Sequence, residues 1–274
     1  MPYVETTRGS LFYTVNQEPA DTGSRLTAPE VGAVSLVLVH GAGGSRLHWP
    51  AELRRLPEAT VYTLDLPGHG RSEGPGCDTI DGYAQVVTAF LNAVDTRQAI
   101  IVGHSMGSAI AQTLALEVAN RVAGLVLLGA GARLRVAPAI LEGIRDDFQT
   151  SVELITRFAW SPGAPPALTE LGRQALLETS PDVLAGDFIA CDRFDVMKRL
   201  GEIKAPTLVI AGSADQLTPV KYARFLVEHI PDARLAVIEG AGHMMMLERP
   251  AEVANAVREF LSETGAVRYQ EIAN

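Results

Sequence analysis

Apolar residues in this chain follow two spacings. Val34–Val39, Thr60–Leu64, Ala99–Val102, Val122–Leu128, Thr207–Ala211 and Leu235–Ile238 are short apolar runs, mostly β-branched. Such runs suit strands buried on both faces, as in a parallel sheet. Between them the spacing turns helical. Tyr83, Val86, Val87, Phe90, Leu91 and Val94 recur on one face of Ile80–Val94, an alanine-rich stretch runs through Ala119, and Tyr222–His229 and Ala251–Leu261 read as helices. Near the start, Tyr3–Thr7 and Leu11–Val15 alternate around Gly9-Ser10, which predicts a β-hairpin at a sheet edge. The alternation of strand and helix from Val34 to Leu128 implies βαβ units and a sheet covered on both faces. In such a sheet, ligands bind beyond the carboxyl ends of the strands.

The strand pattern stops from Arg133 to Lys204. Amphipathic helical stretches take over, broken by Ser161-Pro162-Gly163-Ala164-Pro165-Pro166 and by Ser180-Pro181. This predicts a helical lid (133–204) inserted into a core made of 1–132 and 205–274. Phe148, Phe158, Trp160 and Phe188 lie in the lid, and at least one of them is expected to line a pocket; Trp160 and Phe188 are the candidates. Asn16–Gly32 is rich in turn formers and reads as an unusually long loop, and Gly265–Asn274 as a loose tail.

Composition narrows the functional classes. The chain has 274 residues, 47% hydrophobic, which allows a sizeable core. Its net charge is −9 and its basic residues form no run or stripe, which argues against nucleic acid and anionic membranes as partners. The two cysteines, Cys77 and Cys191, have no metal-ligand spacing and read as free thiols in a reducing compartment. Met1–Ser10 is polar, and no apolar run reaches membrane-spanning length. The expectation is a soluble cytoplasmic protein. His and Asp residues are too dispersed for a metal cluster and there is no nucleotide fingerprint, so neither metal nor cofactor is expected.

Candidate chemistry sits at the strand ends. The run Ala99–Val102 ends in Gly103-His104-Ser105-Met106-Gly107, followed by the alanine-rich helix. A strand-to-helix corner puts Ser105 in strained backbone, and glycines on either side let the two elements close up. The helix beginning after Ser105 points unpaired N–H groups and its positive dipole end at the serine. His40-Gly41-Ala42-Gly43-Gly44 follows Val34–Val39. It lacks the lysine and spacing of a phosphate cradle and suits an oxyanion loop. Asp65-Leu66-Pro67-Gly68-His69-Gly70-Arg71-Ser72 is explained by turn chemistry, with Asp65 and His69 structural; Trp49 reads as core.

A serine hydroxyl needs a base, and the base needs an orienting partner. Among six histidines, His243 follows a strand end between Gly242 and a helix, where an imidazole can reach the rim of the sheet. His104 flanks the serine but points away on a tight turn, His229 is helical, and His40 and His69 sit in structural loops. Asp215 also follows a strand end. The competing position after Val122–Leu128 reads Gly129-Ala130-Gly131 and holds no carboxylate. The order is then Ser, Asp, His.

Over nearly its whole length the chain resembles the α/β-hydrolase family. The supporting features are His40-Gly41, the Asp65–Ser72 loop, the elbow, Asp215 in Gly-Ser-x-Asp and Gly242-His243 before the last helix. The resemblance implies an α/β fold with a mostly parallel eight-stranded sheet, helices on both faces and an inserted helical lid. It implies Ser105 as nucleophile, His243 as base and Asp215 as orienting acid. Backbone N–H groups of Ala42 and Met106 would form the oxyanion hole. Gly41, Trp160, Phe188 and Met244 are candidate substrate contacts. Two features depart from the family: the long loop Asn16–Gly32, and Ser108 where many relatives have glycine.

The activity expected is hydrolysis of a small to medium carboxylic ester through an acyl-enzyme. Lactone, thioester or carbon–carbon hydrolysis by the same triad stays open, as does ligand binding without turnover. Carbon–carbon hydrolases resemble Gly-Asn-Ser-x-Gly-Gly at the elbow, from which His104 and Ser108 depart. The lid carries Arg133, Arg135, Arg145, Arg157, Arg173 and Arg193 among many acidic residues, so a neutral or weakly polar substrate is expected.

Overall fold

A computed structural model describes residues 3–16 and 34–264. The long loop and the tail expected from the sequence therefore lie outside the described residues, except for Asn16. Strands β1 (Tyr3–Thr6) and β2 (Gly9–Val15) form the expected hairpin, with β1 at the sheet edge. The chain continues through β3 (Val34–Val39), α1 (Ala51–Arg54), β4 (Ala59–Leu64), α2 (Ile80–Ala93), β5 (Ala99–His104), α3 (Met106–Glu117) and β6 (Val122–Leu128). Four helices follow before the sheet resumes: α4 (Pro138–Asp146), α5 (Phe148–Ala159), α6 (Pro166–Glu178) and α7 (Pro181–Arg193). The last elements are β7 (Thr207–Gly212), α8 (Val220–His229), β8 (Ala233–Ile238), α9 (Met245–Glu248) and α10 (Pro250–Glu263).

The strands form one eight-stranded sheet in the order β1-β2-β4-β3-β5-β6-β7-β8. Pairing is parallel from β4 to β8 and antiparallel at β1–β2 and β2–β4. The apolar runs are explained by burial on both faces. Along β3, Val37 and Val39 pack on one side with α2 and α3, while Leu36 and Leu38 pack on the other with Trp49 of the loop before α1 and Val253 and Val257 of α10. β5 does the same with Ile101 and with Ile100 and Val102.

Strand order reverses direction between β3 and β5, because β3 connects outward to β4 and β5 to β6 on opposite sides. A crevice opens at such a switch point, beyond the carboxyl ends of the two strands. The loop Gly41–Gly44 and Ser105 follow those two ends.

The helices α4–α7 have a small apolar core of their own, built on Ile140, Ile144, Val152, Ile155, Leu176 and Leu184. An isolated bridge between Arg133 and Asp195, and a bond from the Val196 N–H to the Ala132 carbonyl (2.8 Å), draw the two ends of this insertion together.

Candidate active site

The β5–α3 corner is steric in origin. Ser105 has φ +53° and ψ −115°, a region that side chains avoid. The two elements meet so closely that a Cβ on Gly103 would fall on the Gly107 carbonyl, and one on Gly107 on the Val39 carbonyl. Ser105 is pinned by its own N–H to the Leu128 carbonyl (2.9 Å). Its carbonyl accepts from the Ser108 N–H (2.8 Å) and Ser108 hydroxyl (2.6 Å), which gives Ser108, a departure from the family pattern, a local function.

Asp215 lies just beyond β7 and His243 just beyond β8. His243 Nδ1 is 2.8 Å from Asp215 Oδ2 and 3.1 Å from the Thr218 hydroxyl. The carboxylate also accepts from the N–H groups of Leu217 (2.8 Å) and Thr218 (2.9 Å) and from the Thr218 hydroxyl (2.7 Å). Burial alone would raise the Asp215 carboxyl. The charge and hydrogen bond of His243, with the Thr218 donors, outweigh burial and hold it well below the usual carboxylate range. An ionised Asp215 fixes the proton on His243 Nδ1 and leaves Nε2 free to accept. Gly129 (φ +55°) leaves room for the ring, since a Cβ there would sit 2.9 Å from His243 Cε1. That gives a steric reason for the missing carboxylate after β6.

The remaining histidines divide by role. His104 is packed: its ring lies 4.8 Å from that of His243, and its Nε2 donates to the His243 carbonyl at 3.0 Å. Burial, followed by the neighbouring His243, keeps it neutral. His40 accepts the Leu66 N–H on Nε2 (3.0 Å) and donates from Nδ1 to the Gly41 carbonyl (2.8 Å), holding the glycine loop to the next strand end. Asp65 accepts from the N–H groups of Arg46 (2.7 Å) and Arg71 (2.9 Å) and pairs with the Arg46 guanidinium, a structural set of contacts. Trp49 is fully buried.

Gly41 lies directly against the elbow; a Cβ there would sit 3.1 Å from Ser105 Cβ. The neighbouring Ala42 N–H and the Met106 N–H at the start of α3 form no hydrogen bond with any other described residue. Two donors are thus available beside the serine, one of them at the positive end of a helix.

Ser105 and His243 border two cavities. The inner one, about 90 Å³, is lined by Gly41, Ala42, Ile155, Trp160, Leu176 and Met244 among others, and no Asp, Glu, Lys or Arg faces it. The outer one, about 320 Å³, runs past Gln216, Thr218, Tyr222 and Arg135. Phe188 and Cys191 border both. Gly41, Trp160, Phe188 and Met244 therefore all face the site, whereas Phe148 borders neither cavity. Sequence reasoning missed His48, Ile155, Leu176, Cys191 and Leu217, which also face it. His48 is pushed down to about 4, by burial first and then by His69, so it is a neutral wall at pH 7. These residues sit in ordinary helical or turn patterns and carried no local signal.

Among the described residues, no group of three His, Cys, Asp or Glu side chains is gathered to hold a metal, and no helix is long and apolar enough to cross a membrane.

The profile of the alpha/beta hydrolase family matches residues 36–256. The chain is 28% identical over 251 residues to a 2-hydroxy-6-oxo-6-phenylhexa-2,4-dienoate hydrolase of Comamonas testosteroni, covering 84% of this chain and 88% of that protein. It is 28% identical over 243 residues to a pimeloyl-[acyl-carrier protein] methyl ester esterase of Photobacterium profundum, covering 82% and 94%. A solved structure of a thermophilic esterase superposes with a TM-score of 0.81 at 32% identity, covering 96% of this chain and 97% of that one.

Proposed function

Since the chain belongs to the alpha/beta hydrolase family, we propose that it is a serine carboxylesterase acting on a small to medium, uncharged carboxylic ester. The observation that carries this reading is the Asp215–His243 pair (2.8 Å), whose histidine borders the same cavities as a serine in strained elbow backbone. Ser105 attacks the ester carbonyl while His243 Nε2 takes its proton, with Asp215 stabilising the imidazolium. The Ala42 and Met106 N–H groups receive the tetrahedral oxyanion, a contribution of about 10²–10³ in rate per donor. The alcohol then leaves with the proton from His243, and water, activated by the same histidine, releases the acid. Residues 133–204 serve as the lid over this site.

The two cavities support a separate place for each half of the substrate. The leaving oxygen must meet the His243 proton, which both cavities allow; we assign the alcohol to the outer one, whose wall carries the polar side chains of Thr218 and Gln216. The acyl chain occupies the inner cavity. Its small volume, about 90 Å³, and apolar wall fit a short acyl chain. The uncharged inner wall favours an ester over an acid-bearing substrate, because a carboxylate there would be desolvated without a counter-ion.

The test is a panel of p-nitrophenyl esters, lactones and diketones assayed with wild-type and Ser105→Ala protein. Short-chain esters are expected to be turned over fastest, and Ser105→Ala to lose at least 10³-fold in kcat. Retention of near wild-type turnover by Ser105→Ala would refute the nucleophile. A diketone cleaved faster than every ester would move the activity to carbon–carbon hydrolysis.

A further inference from the structure

Like Asp65, Asp187 is fully buried; its carboxylate lies in the second turn of α7. Three donors from three separate parts of the chain converge on it. Oδ2 accepts the Gly43 N–H at 2.8 Å and His69 Nε2 at 2.8 Å, and Oδ1 accepts the Tyr83 hydroxyl at 2.5 Å. The other ring nitrogen of His69, Nδ1, lies 2.9 Å from the Pro67 carbonyl. Both ring nitrogens thus face oxygens that can only accept, so both carry protons and His69 is an imidazolium. Burial alone would lower His69; the charge of Asp187 and the hydrogen bonds reverse this and raise it.

The consequence falls on the glycine loop. The Gly43 N–H is held by Asp187, and the Gly43 carbonyl accepts the Thr179 hydroxyl at 3.0 Å. Both grips come from the α4–α7 insertion, and Gly43 is bonded through its nitrogen to Ala42. Gly43 itself has φ +61° and packs so tightly under Leu176 and Leu184 that no side chain fits. With its N–H engaged by Asp187, Gly43 cannot donate to an oxyanion, which leaves Ala42 as the donor on this loop. A buried charged pair gives little net stability compared with apolar residues of the same shape. What this pair does add is a fixed direction for one peptide group.

We infer that Asp187 is a positioning residue of the reaction. Seated in the insertion, it orients the Ala42–Gly43 peptide, and through it the Ala42 N–H, toward the oxyanion formed at Ser105. This inference rests on the reading of Ser105 as nucleophile and Ala42 as oxyanion donor. It makes the insertion a working part of the oxyanion site, beyond its role as a cover.

The experiment compares Asp187→Ala, Asp187→Asn and Tyr83→Phe with wild type. Active sites are first counted by stoichiometric fluorophosphonate labelling of Ser105, so that kcat is expressed per competent site. KM, thermal midpoint and affinity for an alkyl trifluoromethyl ketone, which Ser105 converts to a tetrahedral oxyanion, are measured beside it. Asp187→Ala is expected to lower kcat by about tenfold to a hundredfold, with KM within about threefold and ketone affinity falling by the same factor as kcat. Asp187→Asn keeps an acceptor for Gly43 and should restore most of that loss. Tyr83→Phe removes a bond to the same carboxylate without touching Gly43, and should lower the thermal midpoint while leaving kcat within about threefold. Asp187→Ala with unchanged kcat per site overturns the inference, and so does an equal kcat loss in Tyr83→Phe. If Asp187→Ala does not fold, Thr179→Val, which frees the Gly43 carbonyl from a half-buried position, is expected to cut kcat about threefold at constant KM; no change would overturn the inference. Failure of the underlying reading is separately visible, as wild-type Ser105 that does not label.

Discussion

Ser105 stands at φ +53°, a conformation that costs a non-glycine residue about 1–3 kcal/mol and persists only where surrounding contacts dictate it. Those contacts are the Ser105 N–H on the Leu128 carbonyl and two donors from Ser108 on the Ser105 carbonyl. His243 is fixed just as closely: its carbonyl by His104, its ring by Asp215, and the N–H groups on either side of it by the Glu248 carboxylate and the Ala159 carbonyl. Asp215 is the residue through which orientation and charge reach the ring. Asp215→Asn keeps the side-chain shape but offers His243 an amide that can present a donor, favouring the wrong tautomer. The expected outcome is a loss of about 10³–10⁴ in kcat with KM little changed, measured by steady-state ester hydrolysis on folded protein. A loss of less than tenfold would mean that Thr218, 3.1 Å from the same ring nitrogen, suffices to orient it.

Among the elements, α5 and α6 shape the inner cavity from above and the β3 and β5 strand ends shape it from below. Ile155 of α5 is buried, belongs to the insertion's own apolar core and faces the cavity. Ile155→Ala removes three carbons from that wall. It should destabilise the protein by about 2–5 kcal/mol, as for other buried large-to-small changes. It should also move the preferred acyl chain toward longer lengths, because Ile155 walls the cavity proposed to hold that chain. Relative kcat/KM across p-nitrophenyl acetate to decanoate reads the second effect independently of the first. An unchanged profile would mean that the acyl chain lies in the outer cavity. The same elements show what hydrophobic pattern could and could not reveal. The strand runs were legible because burial on both faces leaves no polar alternation, and the elbow because glycines bracket a serine between two patterns. On α5, α6 and α7, Phe188 could be singled out as an aromatic, but Ile155, Leu176 and Cys191 were not, because a helix packed against both core and cavity shows one apolar stripe for two purposes.

At the scale of the whole molecule, long-range pairs decide what a single pass along the sequence can find. Ser105, Asp215 and His243 could be singled out as candidates because each follows a strand end, a local feature. Asp187 was not: it sits in a helix between Gly186 and Phe188, where an acidic residue reads as a solvated face, and its partners Gly43 and His69 are 144 and 118 residues away. His69, read as structural from its turn, carries a charge that only the fold reveals. That charge makes global stability depend on pH. The groups around the His69–Asp187 pair are His40 and His48, both kept neutral by burial, Asp65, Tyr83, pushed up so that it stays protonated, and Cys77 and Cys191, both raised by burial. Because His69 is raised in the folded state above the roughly 6.5 of an unfolded histidine, protonation favours folding. Its contribution is complete below about pH 6.5 and is lost as pH rises through the raised value. Urea unfolding of wild type is therefore expected to show stability falling between about pH 6.5 and 8, below the range in which unfolded thiols ionise. His69→Gln, which can still donate to Asp187 but cannot titrate, should be less stable at pH 6.5 and nearly flat over that interval. Parallel slopes in the two proteins would mean that His69 is neutral in the fold and that the Asp187 carboxylate is held by hydrogen bonds alone.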